Sequence, residues 1–458
     1  MPTFATINEH HTRPALAPAT ARERMRSLDV LRGFALLGIL MANIEDFASP
    51  TGILHDIPLD VVSEVGTHHR LDVLVMTGQW LFIEGKMRAL FGLLFGAGTV
   101  LLLERFEKRS DSGLAADIFH RRNMWLLLFG IVHGSLIWDG DILLFYGSLA
   151  LLALYPLRHV GAKYLIPIGI AISLVGGTLG IASAMNLGPS LRDAALQQGA
   201  AAAQASHTIP ATAQRQAVDA AIALRKREIQ ALPESVEAGR RGYIATEKDN
   251  AKGEADFVVL VFRSGWVFEI LGIMIAGMGL YKAGFLSARL RSWIYLTTAA
   301  SGYAISMTIV LAGLWHSRRF GFSDAVTTVS MFLPYGVQQI TGMLATASVL
   351  LLLVRNNRFV PLQHALAAVG RTALTNYLFT SLLCQFLFKW GPWKLYGALE
   401  YYQQIYVVAC IWTLNIAGSL LWLRFFAFGP REWLWRSLTY WKRQPLFAEQ
   451  TLAKKVLS

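Results

Sequence analysis

Leu28-Asp29-Val30-Leu31-Arg32-Gly33-Phe34-Ala35 opens a long apolar stretch with an acid and a guanidinium three residues apart. On a helix that spacing puts both groups on one face, where they can pair. Membrane spans avoid such groups, because each costs roughly 2.5–3.5 kcal/mol at the centre of a span. Beyond them the stretch runs apolar through Gly38, Leu40 and Met41 to Asn43. This is a membrane helix whose mouth carries a polar face turned to protein more than to lipid. The plainer alternative is a snorkelling Arg32 and a helix capped by Ser27 or Asp29.

The same character extends over the chain. Of 458 residues, 54% are hydrophobic and only 16% charged, with a mean hydropathy of +0.42. Soluble domains carry about 25% charged residues. The expected fold is therefore an all-α, polytopic membrane helix bundle of about ten transmembrane helices. The apolar runs are 28–47, 86–104, 123–138, 142–157, 163–186, 257–281, 292–315, 326–354, 372–390 and 405–427. The net charge of +12 does not point to nucleic acid, because the basic residues sit in short segments between apolar runs. Arg105, Arg121, Arg122, Arg158, Lys282, Arg289, Arg355 and Arg371 all fall on one side if the N-terminus is inside. Ten spans with both termini cytoplasmic then satisfy the positive-inside rule. Cys384 and Cys410 lie within apolar runs and read as free thiols, with no disulfide framework and no metal site.

Five regions follow: a basic cytoplasmic tail over 1–27, an N-terminal membrane half over 28–186, an extracytoplasmic helical insert over 187–256, a C-terminal membrane half over 257–427 and a cytoplasmic amphipathic tail over 428–458. The insert is rich in Ala, Gln, Glu and Arg, with helices expected near 212–231 and 233–242, and shows no catalytic pattern. In the last tail Trp433, Trp435 and Trp441 beside Arg431, Arg436 and Lys442 suit a helix on the inner membrane surface. Residues 71–104 form an apolar run too long for one span, interrupted by Glu84-Gly85-Lys86. Residues 71–83 are thus expected as a re-entrant or interfacial piece ahead of a span over 86–104. Gly92 and Gly96 mark a close helix contact.

Four groups could carry chemistry. Asp29 and Arg32, with Asn43 on the same span, could clamp a phosphate or carboxylate. Glu84, Lys86 and Arg88 could hold an anionic substrate, or form only a salt-bridged elbow. His133-Gly134-Ser135-Leu136-Ile137-Trp138-Asp139-Gly140-Asp141 places a histidine deep in a span, two acids after it. An imidazole there can exchange a proton near neutral pH. Asp-Gly-Asp is also a tight turn, with Asp141 a cap for the next helix. Glu269 sits mid-span, an acid there being a functional candidate by default; six residues from Arg263, it is expected to pair with another helix. The candidate set is therefore His133, Asp139 and Asp141 for catalysis, and Asp29, Arg32, Asn43, Glu84, Lys86, Arg88 and Glu269 for substrate. No phosphate loop or nucleophile elbow appears.

These stretches, with Gly85-Lys86, Leu94-Phe95-Gly96-Ala97-Gly98, Gly370-Arg371-Thr372-Ala373-Leu374-Thr375-Asn376-Tyr377-Leu378 and Gly429-Pro430-Arg431-Glu432-Trp433, resemble the YeiB-like family of bacterial inner-membrane proteins. Its C-terminal half is the domain of unknown function 418 (DUF418). The chain is also distantly similar to membrane acyltransferases, both the acyltransferase-three family and heparan-alpha-glucosaminide N-acetyltransferase. They share the Asp-x-x-Arg-Gly start and pass an acyl group from cytoplasmic acyl-CoA to an outer acceptor. The resemblance implies a multi-pass protein of the bacterial inner (plasma) membrane, with acyl-CoA as donor substrate and a small-molecule, glycan or lipid acceptor. In acyltransferase-three proteins a histidine follows the arginine after ten residues; here Asn43 stands in that place. His68 and His69 occupy a loop comparable to one with a histidine in the heparan enzyme, but no motif around them matches. His133 is therefore the expected general base. Acyl transfer is one expectation. The alternative is a secondary transporter of a small anion or metabolite, with Glu269 as its proton-coupled carboxylate. No cofactor is legible, and the oligomeric state stays open.

Overall fold

The computed structural model describes residues 25–50, 68–108 and 112–447. The basic tail expected over 1–27 lies almost wholly outside the described residues, as does the end of the 428–458 tail. The regular secondary structure of the described residues is helical, apart from one isolated bridge between Phe426 and Phe447. In chain order the helices are α1 (Arg26–Ala48), α2 (His69–Phe82), α3 (Lys86–Glu107), α4 (Ser112–Leu136), α5 (Leu143–Leu149), α6 (Ala162–Ala184), α7 (Leu187–Ala205), α8 (Thr212–Gly239), α9 (Tyr243–Ser264) and α10 (Val267–Lys282). They continue as α11 (Ser292–Arg319), α12 (Asp324–Thr327), α13 (Tyr335–Arg355), α14 (Val360–Arg371), α15 (Ala373–Gln385), α16 (Tyr401–Phe425) and α17 (Pro430–Tyr440).

Among the described residues six helices are long and apolar enough to cross a membrane, or seven if the pair α9–α10 makes one span. Seven of the ten expected runs thus coincide with such helices. The other three differ for physical reasons. Run 123–138 belongs to α4, whose first half carries Asp117, Arg121 and Arg122. Run 142–157 yields an apolar helix of only Leu143–Leu154, with a π-helical turn from Ala150. Run 372–390 is α15 plus a π-helical turn over Phe386–Trp390. Wider turns of this kind let a helix change direction inside a bundle.

Two breaks position the site. Gly85 adopts φ +69° between α2 and α3, a conformation that favours glycine. The two helices still form one apolar unit of 38 residues, Arg70–Glu107. At 1.5 Å per residue that is about 57 Å, against a hydrocarbon core of about 30 Å, so one end lies beyond it. The second break is at Gly265, φ +81°, where α9 and α10 meet at 74°. Helix α9 runs unbroken through position 256, so the polar insert and the membrane bundle share a helix. Helix α8 likewise continues through Pro233, where separate helices were expected.

Helices α10 and α6 pair most extensively, followed by α11 with α13, α10 with α3, and α1 with α14. Small residues let backbones touch at these crossings. A Cβ on Gly96 would lie 1.9 Å from the Met274 carbonyl oxygen, and one on Gly277 would lie 2.0 Å from that of Leu93. Gly33 and Gly370 do the same where α1 crosses α14: a Cβ there would lie 1.9 Å from the Leu366 oxygen and 2.0 Å from the Asp29 oxygen, respectively.

Helix α17 is docked on the bundle, not resting on lipid alone. Its Glu432 accepts from Leu374 N (2.6 Å), Thr375 N (3.1 Å) and Thr375 Oγ1 (2.5 Å), capping the start of α15. A carboxylate there also answers the positive end of the helix dipole. Trp435 Nε1 donates to the Arg122 carbonyl at 2.8 Å, and the Arg122 guanidinium stacks 3.7 Å from the Trp435 ring. Glu432→Ala strands those buried donors and should lower stability by about 1–3 kcal/mol. Thermal unfolding in detergent checks this; an unchanged midpoint would contradict the docking role.

Candidate functional site

The pair read from the opening stretch is formed: Arg32 Nη1 donates to Asp29 Oδ1 at 3.1 Å. Because α1 and α14 touch at Gly33 and Gly370, this pair is held against the end of α14, where Arg371 stands. Arg105 from α3, Arg122 from α4 and Arg436 from α17 complete one wall system. Together they line a cavity of about 240 Å³. Five arginines face it against two carboxylates, Asp29 and Glu432. Asp29 is paired with Arg32, and Glu432 is spent on capping α15. Burial depresses the Arg122 pKa, and the Arg436 charge adds to it; burial likewise depresses Arg371 and Arg436. A guanidinium does not give up its proton in a protein, so these groups stay charged at the cavity wall. The cavity's charge and guanidinium geometry could hold a phosphate-bearing or otherwise anionic ligand.

Tyr377 and Leu143 line the same cavity, and Tyr377 leads to a second group. Its hydroxyl donates to Asp141 Oδ1 at 3.3 Å, and its ring lies 5.0 Å from that of His133. Asp141 Oδ1 also takes His133 Nδ1 at 2.8 Å, while Oδ2 accepts from Leu144 N at 2.8 Å. Asp141 thus caps α5 and orients the imidazole at once. His133 is 1% exposed and Asp141 0%. With Nδ1 donating to the carboxylate, Nε2 carries the lone pair. That atom is buried and has no hydrogen-bond partner among the described residues. An orienting acid on one ring nitrogen and a bare second nitrogen is the arrangement of a general base.

Asp139 is not part of this pair. It lies where a Cβ on Gly253 would meet its Oδ2 at 2.6 Å, on α9. Burial raises its pKa, with the Lys389 charge opposing. Asn43 is half-buried on α1, eleven residues past Arg32 and so about 16 Å along the helix. It does not line the cavity.

Glu84, Lys86, Arg88 and Glu269 are gathered into one network at the Gly85 break. Lys86 is fully buried, and its ammonium donates to the Trp80 carbonyl (2.9 Å), the Glu84 carbonyl (3.4 Å) and Gln338 Oε1 (2.5 Å). Those are all the donors it has, so none is left for a ligand. Glu84 Oε1 accepts from the Tyr335 hydroxyl at 2.8 Å. Glu269 pairs with Arg88 on another helix at 3.4 Å and also accepts from Gln339 Nε2 at 3.0 Å and from Trp266 Nε1. The elbow reading fits this geometry. Sequence spacing had no means of joining Arg88 to Glu269, or of finding Gln338 and Gln339.

Two comparisons bear on kinship. A family model described as protein of unknown function (DUF418) matches residues 280–442. The uncharacterized protein YeiB of Escherichia coli is 30% identical over 422 residues, covering 91% of this chain and 96% of that protein. The chain belongs to the YeiB-like DUF418 family. Within it, the uncharacterized protein YxaH of Bacillus subtilis is 28% identical over 440 residues, 94% of this chain and 98% of that one. No solved structure matches. The part matched by the DUF418 model supplies Arg371, Tyr377, Glu432 and Arg436, whereas Asp29, Arg32, Arg122, His133 and Asp141 precede it. The site is built between the two.

Proposed function

We propose that the protein transfers an acyl group from a cytoplasmic thioester donor to an acceptor reaching the bundle from the other side. The observation that carries this is the bare Nε2 of the His133–Asp141 pair, set behind the Tyr377 wall of an arginine-lined cavity. With the basic short segments inside, as the positive-inside rule directs, the five arginines open toward the cytoplasm and both termini are cytoplasmic. The relatives are bacterial proteins, which fits a bacterial plasma membrane. Acyl-CoA is a cytoplasmic donor whose phosphates suit guanidinium groups.

In the transfer the acceptor's nucleophilic atom attacks the thioester carbonyl carbon and the C–S bond breaks. His133 Nε2 takes the acceptor's proton and passes it to the leaving sulfur, giving free thiol. Asp141 holds the ring and stabilises the imidazolium between those events. The transport alternative relied on Glu269 as a proton-coupled group, and that carboxylate already has three donors.

The test is acetyl-CoA binding to the full chain in nanodiscs by calorimetry. Arg32→Ala and Arg371→Ala should each weaken it by about tenfold or more, since a hydrogen bond to a charged group contributes about 1.5–3 kcal/mol. No binding of any acyl-CoA to the parent chain would sink the proposal.

A further inference from the structure

Helix α9 brings a carboxyl group, which the insert's polar composition concealed, to Gly134 and the Asp-Gly-Asp turn that follows the histidine. A Cβ on Gly134 would lie 2.5 Å from the carboxyl carbon of Glu254 and 2.7 Å from its Oε1. Glu254 thus lies against the residue after His133. It is 4% exposed, and neither carboxyl oxygen has a hydrogen-bond partner among the described residues. Helix α9 is fixed there by neighbours on the same face: Asn250 Nδ2 donates to the Ile137 carbonyl at 3.4 Å, and Gly253 abuts Asp139. Two buried polar groups therefore stand beside one Asp-Gly-Asp turn: His133 Nε2, which has no partner among the described residues, and Glu254, which has the Asp141 backbone as its polar neighbour there. Burial, then the Asp141 and Asp139 charges, push the Glu254 pKa up to about 8, so the group meets its cost by holding a proton near neutral pH, and a cation bound beside it favours the charged form instead.

We propose that Glu254 and His133 form a seat for a primary amine, entering as its ammonium ion. Three acids, Asp139, Asp141 and Glu254, converge here; the Lys389 charge acts on Asp139, Asp141 is already occupied by His133, Tyr377 and Leu144, and Glu254 is left for the ligand. An ammonium offers a charge and three donors; a hydroxyl offers one donor and no charge. The charge is opposite to that of the arginine cavity beyond Tyr377, so the two ends of the site select substrates of opposite sign. An anionic acceptor is rejected at this end, and Lys86, saturated at its own elbow, cannot recruit one.

The part that amine plays in transfer rests on the acyl-transfer proposal; the seat itself does not. The ammonium gives one proton to Glu254. The neutral amine then attacks the thioester carbonyl, the C–S bond breaks, and His133 carries the second proton from nitrogen to sulfur. The products are an amide and a free thiol, and Glu254 returns its proton to water.

Binding of n-butylamine and of 1-butanol to the full chain in nanodiscs, each against empty discs, tests the seat. The parent chain should prefer the amine by about tenfold or more, the factor that a hydrogen bond to a charged group commands. Glu254→Gln should abolish that preference. Equal binding of amine and alcohol by the parent overturns the proposal, and so does a preference that survives in Glu254→Gln. If that variant fails to fold, the parent's amine–alcohol comparison decides alone. Acetyl-CoA is titrated separately: its failure to bind removes the transfer reading and leaves the amine result standing.

Discussion

The His133→Ala chain is expected to bind acetyl-CoA as the parent does and to lose acyl transfer by about 10²–10⁴-fold, the usual contribution of a positioned acid–base group. The imidazole is separated from the arginine cavity by Tyr377, so donor affinity has no reason to fall. Asp141 keeps the Leu144 amide and the Tyr377 hydroxyl, so the α4–α5 turn retains two of its ties. Release of free thiol from acetyl-CoA, with and without an amine acceptor, gives the rate, and calorimetry gives the affinity. A rate within a few-fold of the parent would show that Nε2 handles no proton in the reaction. Loss of donor binding as well would make His133 structural.

Gly370→Val should do more damage to the fold than any other single change discussed. Its side chain would begin 2.0 Å from the Asp29 carbonyl oxygen, which is backbone and cannot swing aside. Helices α1 and α14 must part, and overpacking of that kind costs about 3 kcal/mol or more. The separation also carries Arg371 away from Arg32, so acetyl-CoA binding should fall with the unfolding temperature. Gly418→Ala is the control: nothing lies within 4 Å of a Cβ there. Helix propensity favours alanine by about 0.8–1.0 kcal/mol. Equal shifts of the thermal midpoint for the two variants would mean the crossing does not hold α1 in place.

What the sequence discloses is local. The Asp29–Arg32 pair sits one helical turn apart, and the structure forms it. Asp141 lies eight residues from His133 across a recognisable turn, so both its capping role and its nearness to the histidine can be read from spacing. The choice between Asp139 and Asp141 cannot, because it depends on which face of the turn meets Tyr377, more than two hundred residues away. Arg88 and Glu269 are both visible as buried charges, yet their pairing is set by the crossing of α3 and α10. Arg105, Arg122 and Arg371 are legible as topology markers; that they converge on one cavity is a fact of packing. Glu254 was hidden by its neighbourhood. A polar, alanine-rich segment reads as a spacer, and only the continuity of α9 shows that its last turns enter the bundle. The apolar runs and the long helices diverge where apolar composition and helix length part company, as over Leu143–Leu154.

The docking of α17 fixes the order in which the arginine cavity is completed. Trp435, Arg436 and Tyr440 wall the arginine cavity, and they sit on the last described helix. A chain made from its N-terminus inserts every other wall first. During synthesis the basic cleft between α1, α4 and α14 stands open, and it is not walled off until α17 leaves the ribosome. Termination between Gln385 and Glu432 leaves the cleft unroofed and α15 uncapped. Such a product would still carry its apolar helices, but its arginine cavity would lack a wall.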